Sequence, residues 1–588
     1  MVSLTRRSLM AGAAAATASA TAALWVTRPA FANGGPHGFS PLGALKYERG
    51  EPFAYVNAAA PKGGTLRLKS SRPFATINTL RYPGRPPAEL RVIYDRLVVA
   101  SDDEPASFYG VLAKDISVAD DFSEVRLTLH PDARWHDGRP VTPEDVTFTL
   151  ETLKTEGAPF YRQSYGPLSV DTDGHTVILK NTRLGDRDLV RKIASIPIHP
   201  AQLWADGTPE EPVGSGPYRV ATFDPPNRMV LERVPDYWGA NLGPNQGRWN
   251  FDRIEYATFR DENSGFQAFT ANTVDVHVES DPARWRTGYN GAWFSGGDAK
   301  RQETQVLGVG ELVGVVMNTK REPFGDPRVR QAMGLALDIE RVATDLFDGS
   351  IDAFDSTFAG TPLKAPPTPS AGETAILGEE FATPLGDNNA PVRGSREALR
   401  LAAQLLDEAG LKVEGGVRRN ANGEPLRVSL LVARLDMEQA LGWYVTAMDR
   451  LGVTLDLVFG DRALLSRRML DRDFDMATLS WSPARLPGSA ERLLWHGALS
   501  DQPGSYALSG IDDPALNRAI EALEQARSTD ALEAAGRAFD RRFRTLHLMV
   551  PFWRLAKVRV AWWDRFGRPD AEIAGLTASP DDRWWAAS

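Results

Sequence analysis

Residues Gly314 to Val342 read GVVMNTKREPFGDPRVRQAMGLALDIERV. Gly314 to Met317 is an apolar strand, and Asn318-Thr319 ends it. A short polar loop follows, with Pro323 and Gly325 as breakers. Asp326-Pro327 then starts a helix. Asp326 can accept from the free backbone N–H groups of the first turn, and Pro327 stands at the first helical position, where a missing N–H costs nothing. Val329, Ala332, Met333, Leu335, Ala336 and Leu337 supply one broad apolar face. The reading is strand, loop, helix.

Going outward toward the C-terminus, strands alternate with helices. Leu426–Val432, Val453–Val458 and Phe474–Leu479 read as strands. Helices are expected over Ser395–Ala409, Asp436–Leu451, Asp461–Leu470, Pro514–Ala526 and Thr529–Leu546, with strands again at Val550–Trp553 and Val558–Val560. Alternation of this kind implies an α/β domain. Residues 360–393 are rich in proline and small residues and read as a long surface excursion.

Toward the N-terminus, Thr65–Leu68 reads as a strand, and Leu90–Val99 as a helix packing Val92, Ile93, Leu97 and Val98 inward. Val125–Leu129 alternates as a strand. After the His136-Asp137-Gly138 turn, Thr142-Pro143-Glu144-Asp145 is a helix start, with two carboxylates in the positive first turn. Gly214-Ser215-Gly216-Pro217 is a turn, and Tyr218–Phe223 and Met229–Arg233 form a hairpin through Asp224-Pro225-Pro226-Asn227.

The 588 residues exceed what one core serves, so two or three domains are expected. The formal charge is −9, and the first 32 residues hold three arginines and no acid, which leaves −12 for the rest. An acidic surface argues against nucleic-acid binding. Cysteine is absent, which excludes thiol chemistry, cysteine-held metals, disulfides and a lipoprotein anchor. Thr5-Arg6-Arg7-Ser8-Leu9-Met10 resembles a twin-arginine export signal. Ala11–Trp25 is too short and too rich in Ala and Thr for a membrane span, and Ala30-Phe31-Ala32 has a small-x-small cleavage pattern. Residues 1–32 are therefore read as a removable leader, and the mature chain as exported to the periplasm.

Three segments carry a family pattern. WHDGRPVTPEDVTFTLE (Trp135–Glu151), GSGPYRV (Gly214–Val220) and MNTKREPFGDPRVRQAMGLALDIERV (Met317–Val342) resemble, in this order and spacing, the family 5 extracellular solute-binding proteins of ABC importers. HGFSPLGALKY near the N-terminus, LPGSAERLLWHGAL (Leu486–Leu499) and GSYALSGIDDPALNRAI (Gly504–Ile520) are similar to the YejA-like oligopeptide-binding branch. The resemblance implies a periplasmic binding protein fold, type II, cluster C: two α/β lobes joined by two crossover strands, with an extra subdomain in lobe I. Lobe I would take residues 33–309, with the subdomain at about 82–212, and residues 557–588. Lobe II would take residues 310–556. The implied partners are a small peptide or peptide-like ligand and an ABC permease complex in the inner membrane, the receptor being a monomer with no cofactor and no metal.

The resemblance also marks ligand-binding candidates. Relatives place a Trp beside the ligand backbone where Trp481 stands. Oligopeptide receptors have an Asp for the peptide amine where this chain has Ala484. Arg485 beside it would repel an amine and can meet a carboxylate, or serve as a solvated loop charge. Arg492 and Trp495 are placed at the cleft rim. No HExxH or clustered His and carboxylate set is present, and Gly-x-Ser-x-Gly is missing, so catalysis finds no machinery. Beside a peptide, the same fold admits an oligosaccharide, an opine-like conjugate or a metal chelate. A periplasmic hydrolase would need a nucleophile–base pair.

Overall fold

The computed structural model describes residues 31–32 and 37–587, apart from 85, 307, 348, 350, 387–390, 434–436, 556 and 570–579. The expected leader lies outside the described residues except for Phe31–Ala32, which pair with Ala119 and Val118 at a sheet edge.

The strand of the opening stretch is longer than expected, Glu311–Met317. It lies in the interior of a five-stranded sheet, between Met476–Trp481 and Met549–Leu555, and antiparallel to both. Period-two alternation divides its side chains between two cores. Leu312 and Val316 join the cluster that includes Phe539, Trp495 and Leu516. Val313, Val315 and Met317 join the one that includes Met333, Tyr444 and Phe552. A strand buried on both faces therefore reads as one unbroken apolar run. Gly314 is required here: the pairing register with Met549–Leu555 shifts between Val313 and Gly314. A Cβ at Gly314 would lie 2.2 Å from the Met549 Cε and 2.6 Å from the Val550 carbonyl oxygen. Gly314→Ala is expected to cost about 1–3 kcal/mol by overpacking. That would appear as a lower urea midpoint at unchanged slope; an unchanged midpoint would mean that the neighbouring strand can give way.

Asp326 caps the following helix, Pro327–Leu335, by accepting from the Arg328 N–H at 2.8 Å. The apolar face does not continue as one helix. The chain breaks at Leu335, and Asp338 caps a second helix, Ile339–Asp345. Parallel strands Arg427–Val432 and Thr454–Phe459 complete the sheet.

The proline-rich segment 360–393 differs from its reading as a surface excursion. It holds a helix, Ala371–Leu377, and buries Leu363, Ala365 and Leu377. Glu373 within it forms a fully buried ion pair with Arg541, 2.8 Å long. Leu90–Val99 is not a helix either: it is a short 3-10 turn, Ala88–Val92, followed by a strand, Val98–Ala100, that pairs with Phe108–Gly110. Its β-branched residues meet a cross-strand partner that the local sequence does not reveal.

The first lobe carries a seven-stranded sheet in which Thr65–Lys69 runs parallel to Arg253–Ala257 and to Val276–Glu279. Its subdomain is a five-stranded antiparallel sheet covered by the helix Pro143–Thr155. Asp145 fixes the start of that helix, accepting from the Thr142 N–H at 2.9 Å and from the Ala201 N–H at 2.8 Å. His136 and the GSGPY turn meet. The Gly214 N–H donates to His136 Nδ1 at 3.3 Å, so Nε2 carries the proton and donates to the Gly216 carbonyl at 2.8 Å. A Cβ at Gly214 would lie 1.7 Å from the Ile93 carbonyl oxygen, so only glycine fits.

The chain passes between the two large sheets twice. Ala299–Gln305 belongs to the first and Glu311–Met317 to the second; Met549–Leu555 belongs to the second and Lys557–Trp563 to the first.

Candidate functional site

Two places where the described residues of the lobes meet, besides the crossovers, bear on the site. One is a pocket, the other a buried charge cluster.

The pocket, about 300 Å³, lies at the crossovers. Pro105 of the first lobe, Val309 of the crossover, and Phe358, Leu363, Leu532 and Arg485 of the second lobe line it. Arg485 reaches across and donates from Nη1 to the Asp102 backbone carbonyl of the first lobe. The Asp102 carboxylate is held by Arg583. Arg485 thus has no carboxylate within ion-pair distance among the described residues, and burial lowers its pKa despite the acidic Asp102 and Asp103 nearby. A guanidinium with free donors in the lining of a mostly apolar pocket suits a carboxylate, the acid in that lining, Glu533, being engaged by Arg537 at 2.8 Å. Ala484 beside it also lines the pocket and offers no charge for an amine.

Trp481 ends the central strand Met476–Trp481, opposite Leu312, and is half-buried. Its ring meets that of Trp495 edge-on, with centroids 5.9 Å apart. Trp495 is only 2% exposed and packs in turn on Phe543 at 4.8 Å. Trp495 is therefore a core residue that props Trp481, and it has no surface to offer a cleft rim. Arg492 is committed as well: its Nε and Nη2 grip the Glu524 carboxylate, at 2.6 Å for the closest contact. Trp481 and Trp495 come together; Arg485 and Arg492 have different tasks.

The charge cluster was not read from the sequence. Asp186, Arg187, Asp188 and Arg191, around the start of the first-lobe helix Leu189–Ala194, pack against the second lobe at Pro487–Glu491 and Glu524–Ala526. Arg187 is 1% exposed. It donates to the Pro487 carbonyl at 2.5 Å and to the Ala526 carbonyl at 3.2 Å, and its backbone N–H donates to the Glu524 carbonyl at 3.0 Å. Asp188, also buried, accepts from the Ser489 N–H at 2.7 Å and the Ser489 hydroxyl at 2.9 Å. Arg183 stands 3.5 Å from Glu524, which Arg492 holds from the other side. Burial works to raise the Asp188 pKa, but Arg191, Arg187 and the two Ser489 donors outweigh it and hold the carboxyl at about 2. Glu491 faces the same cluster. Burial pushes its carboxyl up to about 7, with the Gly488 N–H and Arg191 opposing and Asp188 adding to the shift.

The pocket and the charge cluster both lie where the two lobes meet. Among the described residues there is no cluster of three or more metal-ligating side chains, and no helix is long and apolar enough to cross a membrane.

Residues 107–499 match the family model described as bacterial extracellular solute-binding proteins, family 5 Middle. The chain is 33% identical over 572 residues to the "Uncharacterized protein YejA" of Escherichia coli K12, covering 93% of each chain. It is 32% identical over 581 residues to the "Probable peptide-binding protein YejA" of Agrobacterium fabrum, covering 93% of this chain and 94% of that one. Among solved structures, the oligopeptide-binding protein AppA from Bacillus subtilis, in complex with a nonapeptide, superposes with a TM-score of 0.69 at 17% identity, covering 90% of this chain and 100% of that one.

Proposed function

Because the chain belongs to family 5 of the bacterial extracellular solute-binding proteins, we propose that it is the receptor of an ABC importer, capturing oligopeptides or peptide-like compounds in the periplasm for an inner-membrane permease. The observation that carries the reading is Arg485, a cation without a carboxylate partner in a pocket between the lobes. Arg485 takes the peptide carboxylate, and Trp481 supplies a flat wall for the peptide backbone. Arg492 and Trp495 act one step back, Arg492 holding Glu524 at the lobe contact and Trp495 bracing Trp481 at the end of its strand. Relatives named for peptide binding support the choice of ligand. The receptor works by binding and release, as a monomer, and reaches the periplasm through the twin-arginine leader.

A peptide-library thermal-shift screen, paired with mass spectrometry of co-purified ligand, tests this. A stabilising peptide is expected; a non-peptide solute as the sole hit would refute it. Arg485→Gln is expected to weaken a free-acid peptide about tenfold, the equivalent of one charge-assisted contact, and to leave its C-terminal amide unchanged. Equal losses for both would remove Arg485 from carboxylate recognition. A metal chelate is the second reading. It is favoured by the same unpaired cation, since polycarboxylate chelators are anionic and a metal arriving already chelated needs no protein ligands.

A further inference from the structure

The second lobe contains a larger cavity, about 500 Å³, which among the described residues has no wall from the first lobe and shares no residue with the pocket at the crossovers. It lies beside the helix Pro327–Leu335 and the start of the edge strand Met549–Leu555. For two arginines in its lining, the hydrogen-bond partners among the described residues are all backbone carbonyls. Arg330, 2% exposed, donates to the Leu546 carbonyl at 2.9 Å and to the Phe324 carbonyl at 2.7 Å. Arg393 donates to the Pro551 carbonyl at 2.6 Å. Neither is within ion-pair distance of a carboxylate among the described residues. The acid in the lining, Asp355, is engaged by Arg544 at 2.9 Å and by Lys364 at 2.8 Å. His547, beside Arg330, is held at about 4 by burial and by that cation, so it adds neither charge nor compensation at neutral pH. Phe354 and Met549 contribute apolar wall.

Burying a cation out of contact with a carboxylate is costly; Arg330 is buried and Arg393 half-buried, and desolvation pulls both pKa values down to about 10 against the opposing fields of Asp326 and Asp355. Two such cations on one roomy, half-apolar cavity have the make-up of an anion site. We propose that this cavity is a second ligand site, separate from the interlobe pocket, which binds a small organic anion with a carboxylate or phosphate head between Arg330 and Arg393 and its apolar body against Phe354 and Met549. Because no described residue of the first lobe lines it, the site fills irrespective of lobe closure. It stands independently of the peptide reading.

Gly334 gives a clean test. It lines the cavity, and a Cβ there would meet nothing within 4 Å. Gly334→Leu therefore places a side chain in the cavity while favouring the helix it sits in. Calorimetric titration of the full mature chain would use octanoate, octyl phosphate and, as the uncharged probe, octanol. One or both anions are expected to bind at least tenfold more tightly than octanol, with the preferred anion identifying the head group. Gly334→Leu and Arg393→Gln are each expected to weaken that anion at least tenfold, with the melting temperature of Gly334→Leu not lowered. Absence of anion binding, equal binding of octanol, or full binding by Gly334→Leu would each overturn the proposal.

Discussion

Arg187→Ala is expected to open the protein. The Arg187 guanidinium is buried between the lobes and donates to the Pro487 and Ala526 carbonyls of the opposite lobe. Truncation removes both bonds, leaves two carbonyls without their donor, and takes a cation from beside the buried Asp188, 3.8 Å away. Removing one member of a buried charged set costs about 3–5 kcal/mol. The loss falls on the closed form alone, because in an open form these groups face water. A ligand whose apparent affinity scales with the closed population then binds more weakly. The expected result is a larger radius of gyration in solution scattering and at least a tenfold loss of ligand affinity, with the urea unfolding of the lobe cores little changed. Unchanged scattering and unchanged affinity would show that this contact does not hold the lobes together.

The parts of this molecule legible in its sequence are those set by near neighbours. Asp326-Pro327 and Thr142…Asp145 announce helix starts because a cap needs only the next few residues. The Gly214–Pro217 turn was legible as a turn, but its glycine was not legible as a necessity, since the obstructing atom is the carbonyl of Ile93, far away in the chain. The same limit governed the site. Trp481 stands at a strand end that alternation reveals, whereas the freedom of Arg485 depends on Arg583 having taken the Asp102 carboxylate. Arg492 and Trp495 carry residue types suited to a rim, yet Glu524 and Phe543, both distant in sequence, draw them elsewhere. The run from Arg183 to Lys192 looks like a solvated charged loop. Its burial arises because each charge finds a partner: Lys192 meets Asp186, and Asp188 meets Ser489 of the other lobe.

The same contact should make closure depend on pH, in a direction set by Glu491. Its carboxyl is raised to about 7 from an ordinary 4.5, first by burial and then by Asp188. The closed form therefore binds a proton that an exposed glutamate releases, and closure weakens as pH rises through the window from 4.5 to 7. Asp188 acts in the opposite sense. Held at about 2 instead of 3.8, it contributes stability above pH 3.8 that is lost as pH falls through about 2. The two limbs place the strongest contact near the acid end of the Glu491 window. Glu491→Gln removes the upper limb, since an amide keeps an acceptor for the Gly488 N–H and carries no charge to bury. At pH 8 it is expected to favour the closed form by up to about 3 kcal/mol, the free energy of a shift from 4.5 to about 7 if all of the burial comes from closure. At pH 4.5 the variant and the wild type should nearly coincide. Scattering and ligand affinity followed between pH 4.5 and 8 should show the wild type loosening and Glu491→Gln staying level. A wild-type profile that is flat over this range, or a variant that follows it, would place the protonation of Glu491 outside the closing equilibrium.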